Sequence, residues 1–105
     1  MAVRTKKAAR QRKEALLRLR PIVLKVAKEY GATNVRVFGS FARGEQRRTS
    51  DLDLLVEMPK RSSLLDIAGL KVDLEEALQR KVDVLTDGGI SRYLRERILQ
   101  EATPL

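Results

Sequence analysis

Two aspartates separated by one leucine are the residues of this sequence best placed to bind a metal ion. Asp51 and Asp53 lie in the alternating segment 51–57, which predicts a strand. Both carboxylates then share one face of the strand, about 7 Å apart. Two negative charges this close repel each other unless a cation or a proton compensates, and divalent ions prefer oxygen ligands. The pair predicts a Mg²⁺ or Mn²⁺ site; the alternatives are a solvated strand end or carboxylates that cap a neighbouring helix.

A third aspartate could complete this site from another strand. Asp83 lies between two valines in segment 82–86, where a charge is unexpected if both faces of the strand are buried. Two metal ions about 3.5–4 Å apart can clamp a triphosphate and align an in-line displacement at its α-phosphorus. Asp83 is also the candidate to receive the proton of the acceptor. The alternative is an ordinary edge-strand aspartate, and Asp87 is a nearby competitor for the role.

A glycine and a serine form the other half of a possible phosphate site. Gly39 and Ser40 directly follow the β-branched segment 34–38, which predicts a strand. Glycine lets the backbone approach a phosphate, and a helix that begins at Ser40 would present free N–H groups and a favourable dipole. Arg43, one helical turn later, could reach the same phosphates. The alternatives are a plain strand-to-helix turn at Gly39, capped by Ser40, and an ordinary surface cation at Arg43.

The amino-acid inventory restricts the chemistry that is open to this chain. Its 105 residues include no cysteine and no histidine. This excludes disulfides, thiolate nucleophiles, zinc–sulfur sites and imidazole bases. Catalysis would have to use carboxylates, hydroxyls and cations, which again favours a magnesium or manganese enzyme.

The elements that would position these residues follow from the spacing of apolar positions. The pattern predicts, in order, a helix at about 20–30, strands at 34–38 and 51–57 joined by a short polar loop, a helix at 63–80, a strand at 82–86 and a helix at 91–102. A chain of this length has the size of one domain. The order therefore predicts a single α/β (α+β) domain with a small mixed β-sheet flanked by helices.

Three local signals refine these elements. Pro21 fits the first turn of a helix, so the residues before it are expected to form a second helix or a kinked extension. Ser63 or Asp66 would cap the next helix. Helical spacing places four residues on the inward face of the last helix: Tyr93, Leu94, Ile98 and Leu99. Tyr30 and Tyr93 are expected at the edge of the core.

The positive charge is confined to the N-terminus. Residues 1–20 hold eight cations against one anion, whereas the remaining residues hold 14 cations and 13 anions within the net charge of +8. We therefore separate a basic N-terminal helical extension, residues 1–18, from a domain of residues 19–105. The extension could be a solvated frayed helix, a phosphate-binding arm or a docking helix for an acidic partner. Arg47 and Arg48 lie on a loop between the two halves of the candidate site and are expected to be solvated.

The candidate residues together resemble a known signature. Gly39-Ser40-Phe41-Ala42-Arg43-Gly44 followed by Ser50-Asp51-Leu52-Asp53-Leu54 resembles the motif of the DNA polymerase β-like nucleotidyltransferases, and its form is most similar to the minimal nucleotidyltransferase branch. The resemblance extends from about residue 20 to the C-terminus. It implies a sheet flanked by helices, Mg²⁺ at Asp51, Asp53 and Asp83, and triphosphate contacts at Gly39, Ser40 and Arg43.

The resemblance also implies a biological setting. Proteins of this branch are commonly antitoxins of helical HEPN-type ribonuclease toxins and transfer AMP from ATP to a toxin tyrosine, which implies a hetero-oligomer with that partner. The short chain favours acceptor recognition through a protein interface. Two other functions stay open: a non-catalytic antitoxin that masks its toxin, and, less favoured, a nucleic-acid-binding protein that uses residues 1–20. Because no apolar run approaches about 20 residues, we expect a cytoplasmic protein without a membrane segment.

Overall fold

The computed structural model describes residues 6–47 and 49–105. Helices and strands alternate along these residues, with a short helix where the sequence predicts a polar loop between the first two strands, and a 3₁₀ turn, Asp87–Gly89, follows the third strand. The elements are α1 (Lys6–Glu29), β1 (Thr33–Phe38), α2 (Ser40–Arg43), β2 (Leu52–Glu57), α3 (Leu64–Leu78), β3 (Val82–Thr86), α4 (Arg95–Glu101) and β4 (Thr103–Pro104). The predicted α/β class is confirmed.

The strands form a mixed sheet in the order β3-β2-β1-β4. Strand β1 is antiparallel to both β2 and β4, and β2 is parallel to β3. The predicted small mixed sheet is thus confirmed, but β4 was not predicted. It has only two residues, one of them a proline, so it carries no alternation that a sequence pattern could show.

The main hydrophobic cluster lies on one face of the sheet. Leu52, Leu54 and Val56 of β2 are fully buried there against apolar residues of α1 and α3, among them Val23 and Leu74. Side chains alternate along a strand, so Asp53 is on the opposite face. The packing of alternate β2 residues against two helices therefore fixes the face on which the carboxylate appears.

Helix α1 differs from the prediction at Pro21. The structure contains one continuous helix from Lys6 to Glu29, with Pro21 inside it, instead of two elements that meet there. Pro21 itself is exposed, while Ala15 before it and Val23 after it are buried in the same core cluster. Packing on both sides of the proline offsets its unfavourable effect on a helix interior. The division into a basic extension and a domain from residue 19 stays a prediction.

Helix α3 begins as predicted. Ser63 is its N-cap, and the side chains of Ser63 and Asp66 form a reciprocal capping box. Tyr30 lies at the edge of the core, where its hydroxyl donates to a carboxylate oxygen of Asp73. Within the described residues, no helix has the apolar length that crossing a bilayer requires.

The C-terminal helix was predicted too long and with the wrong inward face. Residues 91–94 form turns, and α4 begins only at Arg95. Tyr93 is 92% exposed, and Leu94 and Leu99 are also exposed, so the predicted burial is wrong for these three; Ile98 is partly buried. Periodicity assumed one regular helix through this segment, whereas the turns change the direction of the side chains before the helix starts.

Candidate active site

The strand register brings the candidate residues together at one point of the sheet. Asp53 of β2 is aligned with Asp83 of the parallel strand β3 and with Phe38 of the antiparallel strand β1. Directly aligned residues on adjacent strands are about 4.8 Å apart and share a face. Since Gly39 follows Phe38, Asp53 lies between the second carboxylate and the glycine turn.

Asp53 and Asp83 are coupled. Their side chains share a hydrogen bond, and Asp53 is half-buried while Asp83 is exposed. The pKa of Asp53 is raised to about 6, chiefly by burial and then by the charge of Asp83, the hydrogen bond between the two side chains and the charges of Asp51 and Glu101. The site therefore concentrates negative charge that a cation or a proton would compensate.

Asp51 is the residue of the predicted metal site that lies outside a strand. It lies just before β2 and is exposed, and it acts on Asp53 through its charge. Within residues 6–47 and 49–105, no three acidic side chains are already arranged around one point to hold an ion. The coupled pair Asp53–Asp83 is thus the preformed part of the site. Its all-oxygen donor set and its close like charges fit a hard divalent ion such as Mg²⁺.

The turn at Gly39 requires glycine. Gly39 has φ 72° and ψ −150°, a region that residues with a side chain essentially do not occupy. A Cβ atom at this position would collide with Oδ2 of Asp53. The backbone therefore lies directly against the carboxylate, and any other amino acid at position 39 would force the Asp53 side chain or the turn to shift.

Two donors on this turn bind a carboxylate that the sequence did not point to. The Gly39 N–H donates to Oε1 of Glu101 at 2.5 Å, and Arg43 Nη1 donates to both Glu101 oxygens at 3.0 Å. Arg43 Nε donates to Glu45 Oε1 at 2.8 Å. Gly39 and Arg43 can therefore hold an anionic group between them. Their predicted role as phosphate contacts requires this ability.

Glu101 was missed because no spacing signal connects it to the motif. It is 62 residues from Gly39 and comes last in α4, where a negative charge interacts unfavourably with the helix dipole. An acidic residue at that helix end is a weak hint of a role outside the helix. Ser40 was placed correctly as the first residue of α2, and Gly44 ends this helix in the left-handed conformation.

The competitor Asp87 has a different partner. Its Oδ1 accepts from Arg36 Nη2 at 2.5 Å in a partly buried ion pair. Arg47 is exposed, in agreement with the predicted solvated loop, and Arg48 lies outside the described residues. Of the two candidate third carboxylates, the structure thus pairs Asp83, and not Asp87, with Asp53.

Known proteins are similar to this chain over most of its length. Residues 19–105 match the family model of the nucleotidyltransferase domain. Over 82 residues the chain is 50% identical to the protein MJ0435 of Methanocaldococcus jannaschii, which is named as a proposed protein adenylyltransferase. The match covers 78% of this chain and 84% of that protein. A solved structure, described as that of a proposed minimal nucleotidyltransferase, has a TM-score of 0.76 at 49% identity and covers 88% of this chain and 94% of its own.

A toxin–antitoxin crystal structure with AMP-PNP contains a chain of the same fold. Its TM-score is 0.69 at 23% identity, and the match covers 78% of this chain and 68% of that chain. The family match, the 50% identical relative and the solved minimal nucleotidyltransferase agree with one another. The chain is therefore a nucleotidyltransferase that belongs to the minimal nucleotidyltransferase branch of this family.

Proposed function

We propose that the protein transfers AMP from ATP to a tyrosine of a partner toxin of the HEPN type, in the cytoplasm, and thereby acts as an antitoxin. The observation that carries this proposal is the alignment of Asp53 and Asp83 beside Gly39, because it joins a cation site to an anion site. The relative MJ0435 carries the name of a protein adenylyltransferase, and the toxin–antitoxin structure contains an ATP analogue, AMP-PNP.

The metal ions fit the donor set of the site. We propose that Asp51, Asp53 and Asp83 hold two Mg²⁺ ions, which Mn²⁺ can replace. When bound, these ions neutralise phosphate charge and polarise the phosphoryl oxygens. The exposed position of Asp51 and Asp83 leaves room for water and substrate oxygens in the coordination shell, which Mg²⁺ ordinarily keeps.

The turn residues position the triphosphate. The Gly39 N–H and the Arg43 guanidinium, which hold a carboxylate in this structure, donate to phosphate oxygens when ATP binds. The hydroxyl of Ser40, at the start of α2, adds a further donor. Donors fixed by a turn and a short helix need little rearrangement, so they orient the α-phosphorus toward the acceptor.

Asp83 receives the proton of the acceptor. The tyrosine oxygen attacks the α-phosphorus, a new oxygen–phosphorus bond forms, the bond to the β-phosphate oxygen breaks, and pyrophosphate leaves. The hydroxyl proton passes to the carboxylate of Asp83. Asp83 suits this role because it is exposed on β3, at the edge of the sheet, where a hydroxyl of another protein can reach it.

The proposal is tested by mass spectrometry of the partner. The protein is incubated with ATP, Mg²⁺ and a HEPN-type toxin encoded beside it, and the intact toxin mass is measured. We expect one AMP to be added, and we expect Asp51→Asn and Asp53→Asn to abolish the addition. Glu57→Gln, an exposed change farther along β2, is the matched control and should retain it.

Two outcomes would overturn the proposal. One is an unmodified toxin under all conditions. The other is a toxin that the Asp51→Asn and Asp53→Asn variants neutralise as well as the parent protein does, since that result would identify a non-catalytic antitoxin that acts by masking.

A further inference from the structure

We propose that Glu101 is an internal competitor of the nucleotide: its carboxylate occupies the phosphate subsite, and the triphosphate must displace it to bind. This inference deepens the proposed function and rests on it, because it assumes that Gly39 and Arg43 contact phosphate.

Glu101 uses the very donors that a phosphate would need. The Gly39 N–H is directed at Oε1 of Glu101, and Arg43 Nη1 contacts both of its oxygens. A backbone N–H has one hydrogen and makes one good hydrogen bond at a time. A phosphate oxygen and Glu101 therefore cannot both occupy the Gly39 N–H, so their binding is mutually exclusive.

The contact is unfavourable for the local structure in two respects. Glu101 ends α4, where the helix dipole disfavours a negative charge. It also adds its charge to the acidic side chains around Asp53. Since neither the helix nor the carboxylate cluster is stabilised by this glutamate, the favourable contacts that hold its carboxylate are those with the Gly39 turn and Arg43.

Only the side chain of Glu101 has to move. One residue, Ala102, separates Glu101 from β4, where Thr103 is aligned with Val37 of β1, and the Thr103 hydroxyl donates to the Glu101 carbonyl. The backbone is thus fixed to the sheet while the carboxylate is held by non-covalent contacts to the turn. Rotation about side-chain bonds is sufficient to exchange Glu101 for a phosphate.

Competition of this kind weakens the apparent affinity by the fraction of molecules in which the subsite is open. If Glu101 occupies the subsite in about 70–90% of molecules, its removal strengthens binding by about 3–10-fold. The effect should extend to any ligand that places a phosphate at Gly39, including inorganic tripolyphosphate, which has no base or ribose.

The test is calorimetric titration of tripolyphosphate and of ATP, each with Mg²⁺, into the parent protein and Glu101→Gln. We expect the variant to bind both ligands about 3–10-fold more tightly, because glutamine keeps the shape but not the charge. Glu45→Gln is the matched control, because Glu45 also accepts a hydrogen bond from Arg43 but is exposed and forms no hydrogen bond with Gly39. Its replacement should change the Kd of either ligand by less than about twofold.

A second variant and a direct probe guard against a folding defect. Glu101→Asp keeps the charge but is shorter, and it should also bind tripolyphosphate more tightly than the parent protein does. The Gly39 amide proton should shift upfield in Glu101→Gln, because its acceptor is no longer charged. Equal or weaker binding in both Glu101 variants would overturn the inference.

The outcomes separate this inference from the proposed function. Tighter ligand binding by Glu101→Gln together with no AMP transfer to the partner would support the competitor and overturn the function. AMP transfer by the parent protein, together with unchanged ligand affinity in the Glu101 variants, would support the function and overturn the competitor. If neither ligand binds to the parent protein or to Glu101→Gln, both proposals are overturned.

Discussion

The backbone of Gly39 lies against the carboxylate of Asp53, so closely that any side chain at position 39 would collide with it. This contact joins the two halves of the site. The glycine turn supplies donors for an anion, and the aspartate belongs to the acidic pair that would hold a cation. A nucleoside triphosphate with its metal ions needs both at adjacent positions.

Replacement of Gly39 should abolish nucleotide binding. In Gly39→Ala the new methyl group meets Asp53, and the backbone conformation is unfavourable for alanine by about 1–3 kcal/mol. We expect a loss of ATP affinity of at least about 100-fold, measured by calorimetry, and a lower melting temperature. Gly88→Ala is the control, since a methyl group there would meet nothing within 4 Å. Equal effects of the two substitutions would contradict the account.

Replacement of Asp53 by asparagine should stabilise the metal-free protein at neutral pH. The pKa of the Asp53 carboxyl rises to about 6 when the chain folds. Its contribution to stability is complete below the pKa that it has in the unfolded chain, and it is lost as the pH rises through 6. Because solvent screens a half-buried group, we expect Asp53→Asn to raise the free energy of unfolding by about 1–2 kcal/mol at pH 8 and to bring no gain at pH 4.

Thermal unfolding in a chelator at pH 4, 6 and 8 measures this effect. Glu57→Gln, on the same strand but exposed, should change the melting temperature little at any of these pH values. If Asp53→Asn raises the melting temperature equally at all three pH values, the charge on Asp53 is not the cause of the destabilisation.

The continuity of α1 predicts a stabilising substitution. Proline in a helix interior is about 3 kcal/mol less favourable than alanine, whereas at the first turn it is tolerated. Since Pro21 lies inside α1 and is exposed, Pro21→Ala should raise the free energy of unfolding by about 1–3 kcal/mol in denaturant titrations. Lys25→Ala, also exposed on α1, should change it by less than about 0.5 kcal/mol. A neutral or destabilising effect of Pro21→Ala would indicate instead that the helix starts at Pro21.

The choice between Asp83 and Asp87 can be decided by paired variants. Asp83→Asn should reduce AMP transfer at least about 100-fold with little effect on stability, because Asp83 is exposed and lies beside Asp53. Asp87→Asn should retain transfer but lower the free energy of unfolding by about 1–3 kcal/mol, since it leaves the partly buried Arg36 without its ion-pair partner. The reverse pattern would make Asp87 the third carboxylate of the site.

The sequence was sufficient for the parts of the site that lie on regular elements close in the chain. Alternation in 51–57 and 82–86 predicted both strands, and strand geometry then predicted which face carries Asp53. The Gly39-Ser40 turn was predicted because a glycine between a strand and a helix has few other uses. These signals are local, so a single sequence displays them.

The contact of Glu101 with Gly39 was not predictable in this way. It depends on β4, a two-residue strand, and on the turns at 91–94, which together decide where the end of α4 lies. The same turns made the predicted burial of Tyr93 wrong. Long-range contacts set by short irregular segments leave no periodic pattern, and only the folded structure reveals them.

The central claim is that Asp51, Asp53 and Asp83 and the Gly39 turn bind ATP together with magnesium. Calorimetric titration of ATP into the parent protein and Asp53→Asn, each with Mg²⁺ and with a chelator, tests it most directly. We expect ATP uptake by the parent protein that requires Mg²⁺ and that Asp53→Asn lacks. Uptake of equal strength in the chelator, or in the Asp53→Asn variant, would contradict the claim.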